Sequence, residues 1–440
     1  MRRHRGVTRE ELNQSAAIAV AVLLGVGLIT AWNVLIPGVA AWENTMAAVV
    51  GSLRHTGPVA AAFAAWVAAR KSRARRRRAP AVGPWRALRV PLAVLTVVLG
   101  AFAATVLVLA LRTALSDQTG RLSPAGLAAG AAGLAFFVAL GWVAGWAVPR
   151  GITAIAVLAC GYALSYAAAH GPTWAERLGP AIREPHDMFG GISPEVFADQ
   201  AVWLGGAGAA VLLGWAAVVS RRVLPAAAAV LALAGAATGM ARLLAGAERP
   251  PGAAPMRYAC QEWPITVCVH PGMRAGLNEL SGAFIALASR LTGTPAEFSR
   301  VEQHSRRERP DLAPGVVAIH VDDLRPGYAD RAVAEFTERL APPCTGAAEG
   351  YRAIVLGWLR GGPIPAGTLP EHRRAAAWFS ALTEAQRRDW LLMFYTDFAR
   401  CRLATNHFAG AGETPASGAA ATAVHDVYPV NPSPGIRSAR

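Results

Sequence analysis

Arg54 and His55 are the residues whose type and place raise chemistry most directly. Both fall inside an apolar run, Thr45–Ala69. An ionisable side chain in such a run is costly to keep and is by default a functional feature, here a step on a transport pathway. The Gly57-Pro58 pair that follows offers another arrangement, a span that starts late or breaks there and leaves both groups at the outer interface.

Four cysteines offer a second chemistry. Cys260, Cys268, Cys344 and Cys401 all lie in the last part of the chain. An even number confined to one domain reads as two disulfides where that domain faces an oxidising compartment. Pairing Cys260 with Cys268 would close a short hairpin around Pro264, and Cys344 with Cys401 would staple helix ends across a longer loop. All three connectivities remain open. A four-thiolate zinc site is the rival reading, but no Cys-x-x-Cys pair is present. Cys160 sits in an apolar run and reads as an inert small core residue.

Other chemistries lack their residues. His270, His304, His320, His372 and His407, with Asp322-Asp323 beside His320, contain no His-Glu-x-x-His and no pair at i, i+4 that would put two ligands on one helical face. No Gly-x-Ser-x-Gly elbow is present. Lys71 is the only lysine and follows Arg70 at a helix end, so the chain has no Walker A loop and no P-loop ATPase of its own. No catalytic, cofactor-binding or metal-binding residue is therefore assigned, no cofactor is expected, and the chain does not read as an enzyme. Trp358, Trp378, Trp390 and the Phe394-Tyr395 pair recur on apolar helical faces and read as core, with a partner-binding face as the alternative.

The elements that must position these residues belong to a membrane protein. Apolar residues make up 53% and charged residues 16%, a balance outside the soluble range. Runs long enough to cross a bilayer occur at Ser15–Leu35, Thr45–Ala69, Pro91–Ala114, Pro124–Val148, Gly151–Ala169, Ala201–Ser220 and Val223–Ala241, which makes seven spans. The net charge of +15 is not a nucleic-acid face, because from Glu248 onward arginines and acids nearly balance. The surplus instead collects at span ends: Arg2, Arg3, Arg5 and Arg9, then Arg70 to Arg78 with Arg86 and Arg89, then Arg150, then Arg221 and Arg222. That asymmetry puts the N-terminus in the cytoplasm and the C-terminal domain outside, in a multi-pass protein of the cell membrane. Val39-Ala40-Ala41 imitates a signal-peptide cleavage site, but the preceding apolar run is long for one. The Gly141-x-x-x-Gly145 match in the fourth span is a weak dimer signal in so glycine-rich a segment.

The fold expected is mainly α: a polytopic helical membrane bundle and a mostly helical, disulfide-stapled extracytoplasmic domain. Residues 1–14 form a cytoplasmic segment, where Thr8-Arg9-Glu10-Glu11 fits a capping box for a short amphipathic helix. Residues 15–246 form the membrane domain, 247–257 a Pro-rich linker, 258–410 the external domain and 411–440 a disordered tail. The external loop 170–200 carries Trp174, Met188 and Phe189 and suits an interfacial segment. In the external domain amphipathic patterns run over 274–291, 331–340, 351–359, 373–382 and 384–403, with Thr383 and Gln386 forming a capping box. Val316–Val321 reads as a strand and Ile265–Val269 as a second.

The order of features carries a resemblance. The second span reads Gly57-Pro58-Val59-Ala60 through Ala64-Ala65-Trp66 into a basic run. The external domain opens with Cys260 and Cys268-Val269 and closes with Leu382-Thr383-Glu384-Ala385-Gln386-Arg387 to Trp390 and Cys401. The chain resembles bacterial permease subunits of ABC transporters of the type-two exporter class. The resemblance implies an export function energised by a separate cytoplasmic ATPase subunit, contacted through the helix around Glu10 and the basic run 73–78, in a homo- or heterodimer embedded in the lipid bilayer. Such permeases have fewer spans and little external mass, so the competing expectation is a membrane-anchored extracytoplasmic protein that binds a ligand or partner without transport.

Overall fold

The structure, a computed structural model, describes residues 9–75, 83–116, 119–170, 177–179, 188–189, 194–246, 257–308 and 310–408. Thr8 of the expected capping box, residues 76–78 of the basic run, Trp174, the linker through 256 and the tail 411–440 lie outside these residues.

Among the described residues, eight helices precede the sheet-bearing region: α1 (Arg9–Val34), α2 (Trp42–Gly51), α3 (Leu53–Arg75), α4 (Pro84–Ala114), α5 (Pro124–Ala147), α6 (Thr153–His170), α7 (Pro194–Ser220) and α8 (Val223–Ala245). Five of them, α1, α4, α5, α7 and α8, are long and apolar enough to cross a membrane. The other two expected spans differ. The run 45–69 is divided at Ser52 into α2 and α3, and in α6 the apolar stretch among the described residues is Thr153–Ala168. Helix α1 continues unbroken from Arg9, so the segment expected to form a separate amphipathic helix is the start of the spanning one.

Local signals account for the helix starts. Pro124 occupies the first turn of α5, where its missing N–H costs nothing, and the Ser123 side chain accepts from the Gly126 N–H at 3.3 Å. Arg70 stacks over Trp66 at 4.0 Å and Arg112 over Trp32 at 4.2 Å, an aromatic–cation arrangement suited to helix ends at a membrane surface.

Small residues set the packing. A Cβ on Gly141 would overlap the Ala61 carbonyl, and one on Gly145 the Ala65 carbonyl, so α5 lies directly against α3. The Gly-x-x-x-Gly pair is thus spent on an Ala-x-x-x-Ala face of the same chain. Gly206 and Gly239 let α7 and α8 approach closely as well, though less tightly than α5 and α3, and Trp215 of α7 meets Trp142 and Trp146 of α5 edge-on at 5.5 and 5.3 Å.

The chain falls into two compact units, Met1–Leu340 with Leu359–Gly361, and Ala341–Trp358 with Gly362–Arg440. The first holds the apolar helices together with a four-stranded sheet. Strands β1 (Ala259–Gln261), β2 (Thr266–Val269), β3 (Arg300–Gln303) and β4 (Val316–Ile319) lie side by side in that order. β1 runs antiparallel to β2, while β2, β3 and β4 are parallel, with Val267 beside Val301 and Val301 beside Val317. Helix α9 (Leu277–Leu291) makes the crossover from β2 to β3, and α10 (Tyr328–Leu340) follows β4. Phe284, Phe298 and Phe336 meet in the core beneath the sheet at 5.4–6.3 Å. The region after 257 therefore holds a mixed sheet as well as helices, with four strands among the described residues where two were expected.

The second unit contains α11 (Ala347–Leu359), α12 (Pro370–Ala381) and α13 (Glu384–Ala399). Phe379 is fully buried among Trp358, Trp390 and Phe408 at 5.6, 5.1 and 6.0 Å. Of the aromatics read as core, Trp358 and Trp390 are buried here, whereas Trp378, Phe394 and Tyr395 are half-buried. The capping box at Thr383 forms: Thr383 N–H donates to the Gln386 side chain at 2.8 Å and Gln386 N–H to the Thr383 hydroxyl at 3.3 Å.

Candidate functional site

The α2–α3 junction holds the first candidate site. Ser52 keeps helical angles, and its hydroxyl donates to the Val49 carbonyl at 2.7 Å. The Thr56 hydroxyl donates in turn to the Ser52 carbonyl at 3.1 Å. Arg54 and His55 occupy the first turn of α3, both half-buried, and the His55 ring lies 5.7 Å from that of Tyr162 on α6. Pro58 has no N–H to give to the carbonyl of Arg54, four residues back, which loosens this turn from within. The helix nonetheless runs on through Gly57-Pro58. Phe137 fills the space a side chain on Gly57 would need, and Pro58 packs on Gly161, so neighbouring helices hold the turn in place. The interruption therefore falls at Ser52, upstream of both ionisable residues and of the Gly-Pro pair.

Beside the junction lies a small cavity with room for about one water. Ser52, Thr56 and Thr105 give it a polar side; Leu23, Phe102 and Leu134 close the rest. Arg54 and His55 do not line it. Further up α2 the Thr45 and Thr113 hydroxyls meet at 2.5 Å. Cys160, expected in a core, is exposed on α6, because α6 packs through its Gly161 face and turns the preceding residue outward.

The second candidate site is the edge where the parallel strands end. His270, His304 and His320 are each the first residue after a parallel strand, a consequence of the β2–β3–β4 register. Gln303, fully buried, ties this edge together. Its side-chain oxygen accepts from the His270 N–H at 2.8 Å, and its amide donates to the Val321 carbonyl at 2.7 Å. His304 lies between Glu302 and Glu308 at 3.4 and 3.6 Å, with Arg300 on the far side of Glu302. His320 contacts Glu335, which reaches Arg306 at 3.3 Å, and Arg306 pairs with Asp322 at 2.8 Å. The bond to Asp322 is the main reason the Arg306 guanidinium holds its proton above the usual range. Burial, reinforced by Glu302 and Glu308, pushes the Tyr258 phenol up and keeps it neutral beside His304. The edge thus sets Arg300 and Arg306 and two histidines against four carboxylates, Glu302, Glu308, Asp322 and Glu335, and a polar partner would bind there by exchanging one pair for another.

The other singled-out residues have structural posts. Asp323 accepts from Arg331 and from the Arg325 N–H. His372 contacts the Ala347 carbonyl at 2.9 Å, and His407 accepts from the Ala404 N–H. Disulfides join Cys260 to Cys268 across the β1–β2 hairpin and Cys344 to Cys401 within the second unit. Among the described residues no group of three or more His, Cys, Asp or Glu side chains is arranged to hold a metal ion. Sequence reading missed Gln303, Glu335 and Arg306; the one available signal was a histidine directly after one predicted strand, His270, and another near the end of the second, His320. Comparison with family models, with curated proteins and with solved structures finds no match.

Proposed function

We propose that the chain is a permease-like membrane subunit of an ABC-type export system, energised by a separate cytoplasmic ATPase, and that the α2–α3 junction is its working centre. The observation that carries this reading is the position of Arg54. It lies sixteen residues before Arg70 on one helix, roughly 24 Å along the axis and so short of the roughly 30 Å hydrocarbon thickness. A charged residue at that depth, on a turn loosened by Pro58 and two residues from Ser52 and Thr56, whose hydroxyls form the polar side of the cavity, fits a pathway element better than a structural one. Counting α3 and α6 with the five apolar helices gives seven crossings, with the basic ends in the cytoplasm and the sheet outside. The cytoplasmic face would meet the ATPase through the start of α1 and the basic end of α3, in a homo- or heterodimer.

The test is purification of the full chain with its candidate ATPase, reconstituted in vesicles. Arg54→Ala should abolish the vesicle-stimulated rate of ATP hydrolysis, and Arg54→Lys should retain part of it. An unchanged rate in Arg54→Ala, with the protein folded, would overturn the assignment of the junction. Absence of any co-purifying ATPase would favour the second reading, a membrane-anchored external module that binds a partner. The edge where His304 and His320 meet Glu302, Glu308 and Glu335 favours that reading.

A further inference from the structure

We infer that residues 35–41, between α1 and α2, form a strap through which the charged edge of the sheet sets the position of the α2–α3 junction. On the sheet side the strap is held at two points. Leu324 N–H donates to the Pro37 carbonyl at 3.0 Å, and Ala40 N–H donates to the Gly272 carbonyl at 2.9 Å. Both contacts are close. The Leu324 side chain occupies the place a Cβ on Gly38 would take, and Gly38 has a φ of +79° that glycine alone adopts without strain. A Cβ on Gly272 would lie 3.1 Å from both Ala41 and Val39.

The two anchoring segments follow β2 and β4, and one residue joins them. Gln303 holds the His270 N–H, two residues before Gly272, and the Val321 carbonyl, three residues before Leu324. Any exchange of partners along the His304–Glu302 and His320–Glu335–Arg306–Asp322 pairs acts on the same backbone. On the membrane side the strap is fixed to α2. The Asn44 side chain accepts from Ile36 N–H at 3.0 Å and donates to the Ile36 and Val39 carbonyls at 3.2 and 3.1 Å. Thr119 exchanges backbone bonds with Ala40 and Trp42. From Asn44 to Gly51 every residue of α2 is buried, so the helix has no free face on which to absorb a displacement. A shift of the strap arrives at Ser52. Close-packed elements of this kind move as bodies instead of deforming continuously. The consequence for transport rests on the proposed role of the junction; the coupling itself does not.

The coupling is read by hydrogen exchange on the full chain in lipid nanodiscs. Gln303→Leu and Leu324→Ala should each raise exchange of the amides of 42–52 by roughly tenfold while leaving α7 and α8 unchanged. The pair Ala41→Cys with Gly272→Cys, oxidised to a disulfide, should suppress that exchange below wild type and cancel the effect of Leu324→Ala. Faster exchange confined to β2–β4, with 42–52 unmoved in Leu324→Ala and in the cross-linked pair, would overturn the proposal. Should Gln303→Leu fail to fold, the other two variants decide. None of these measurements depends on ATP hydrolysis, so the strap and the permease reading can fail separately.

Discussion

Gly141 sits so near the Ala61 carbonyl that any side chain on it would overlap the backbone of α3. The same holds one turn on, for Gly145 and Ala65. The seam that a sequence motif would assign to a dimer is therefore used inside the protomer, where it brings the helix bearing Arg54 against α5. Because the opposing atom is backbone, no rotamer change can relieve a substitution. Gly141→Leu should cost more than about 3 kcal/mol and appear as loss of the folded monomer in detergent. Gly214→Leu, where a Cβ meets open space, should leave the melting temperature near wild type. A Gly141→Leu protein that melts like wild type and only changes oligomeric state would restore the dimer-face reading.

What was legible in the sequence, and what was not, follows from the range over which each signal acts. Helices such as α5 and α13 carry their instructions locally, in Ser123-Pro124 and in the Thr383–Gln386 box, and both boundaries were recoverable. β4 announced itself by a β-branched run, but β3 reads Arg-Val-Glu-Gln, with polar residues at three of four positions. Its stability comes from neighbours on both sides, which no window along the chain contains. Gln303 looks like a surface residue until Met273, His270 and Val321 are brought around it. The interruption at Ser52 was hidden for the opposite reason. Apolar residues continue across it, and its position depends on Phe137 and Gly161 supporting the Gly57-Pro58 turn farther along. Of the candidate site, the ionisable pair and the cysteines were visible because their residue types are costly or reactive wherever they sit.

The two disulfides should contribute unequally. Cys344–Cys401 closes 57 residues and Cys260–Cys268 only eight, so loop-closure entropy gives about 4 kcal/mol for the first and about 2.5 kcal/mol for the second. Replacing Cys344 and Cys401 by Ala should therefore lower the unfolding temperature more than replacing Cys260 and Cys268. Thiol labelling of intact cells should reach these four positions only after reduction. Labelling without reductant would show that the bonds do not form in the cell.

Tyr328 supplies a pH dependence that can be read on the module bearing the sheet. Its hydroxyl donates to the Gly276 carbonyl at 2.7 Å, and the side chain is buried beside the Leu324 anchor of the strap. Burial, with a smaller contribution from Glu279, pushes its pKa up from 10.0 to about 12. Below pH 10 the phenol is protonated in folded and unfolded chains alike, and its contribution to stability is fully present. Between pH 10 and about 12 the unfolded chain ionises first, so the folded state loses that contribution as the pH rises. Alkaline titration followed by phenolate absorbance should show a late-ionising component that shrinks by one tyrosine in Tyr328→Phe, leaving the raised phenols of Tyr258 and Tyr395. The variant should be less stable at neutral pH, for want of the bond to Gly276, yet lose less stability across that window. Equal slopes for the two proteins above pH 10 would mean that the Tyr328 phenol is not held neutral by the fold.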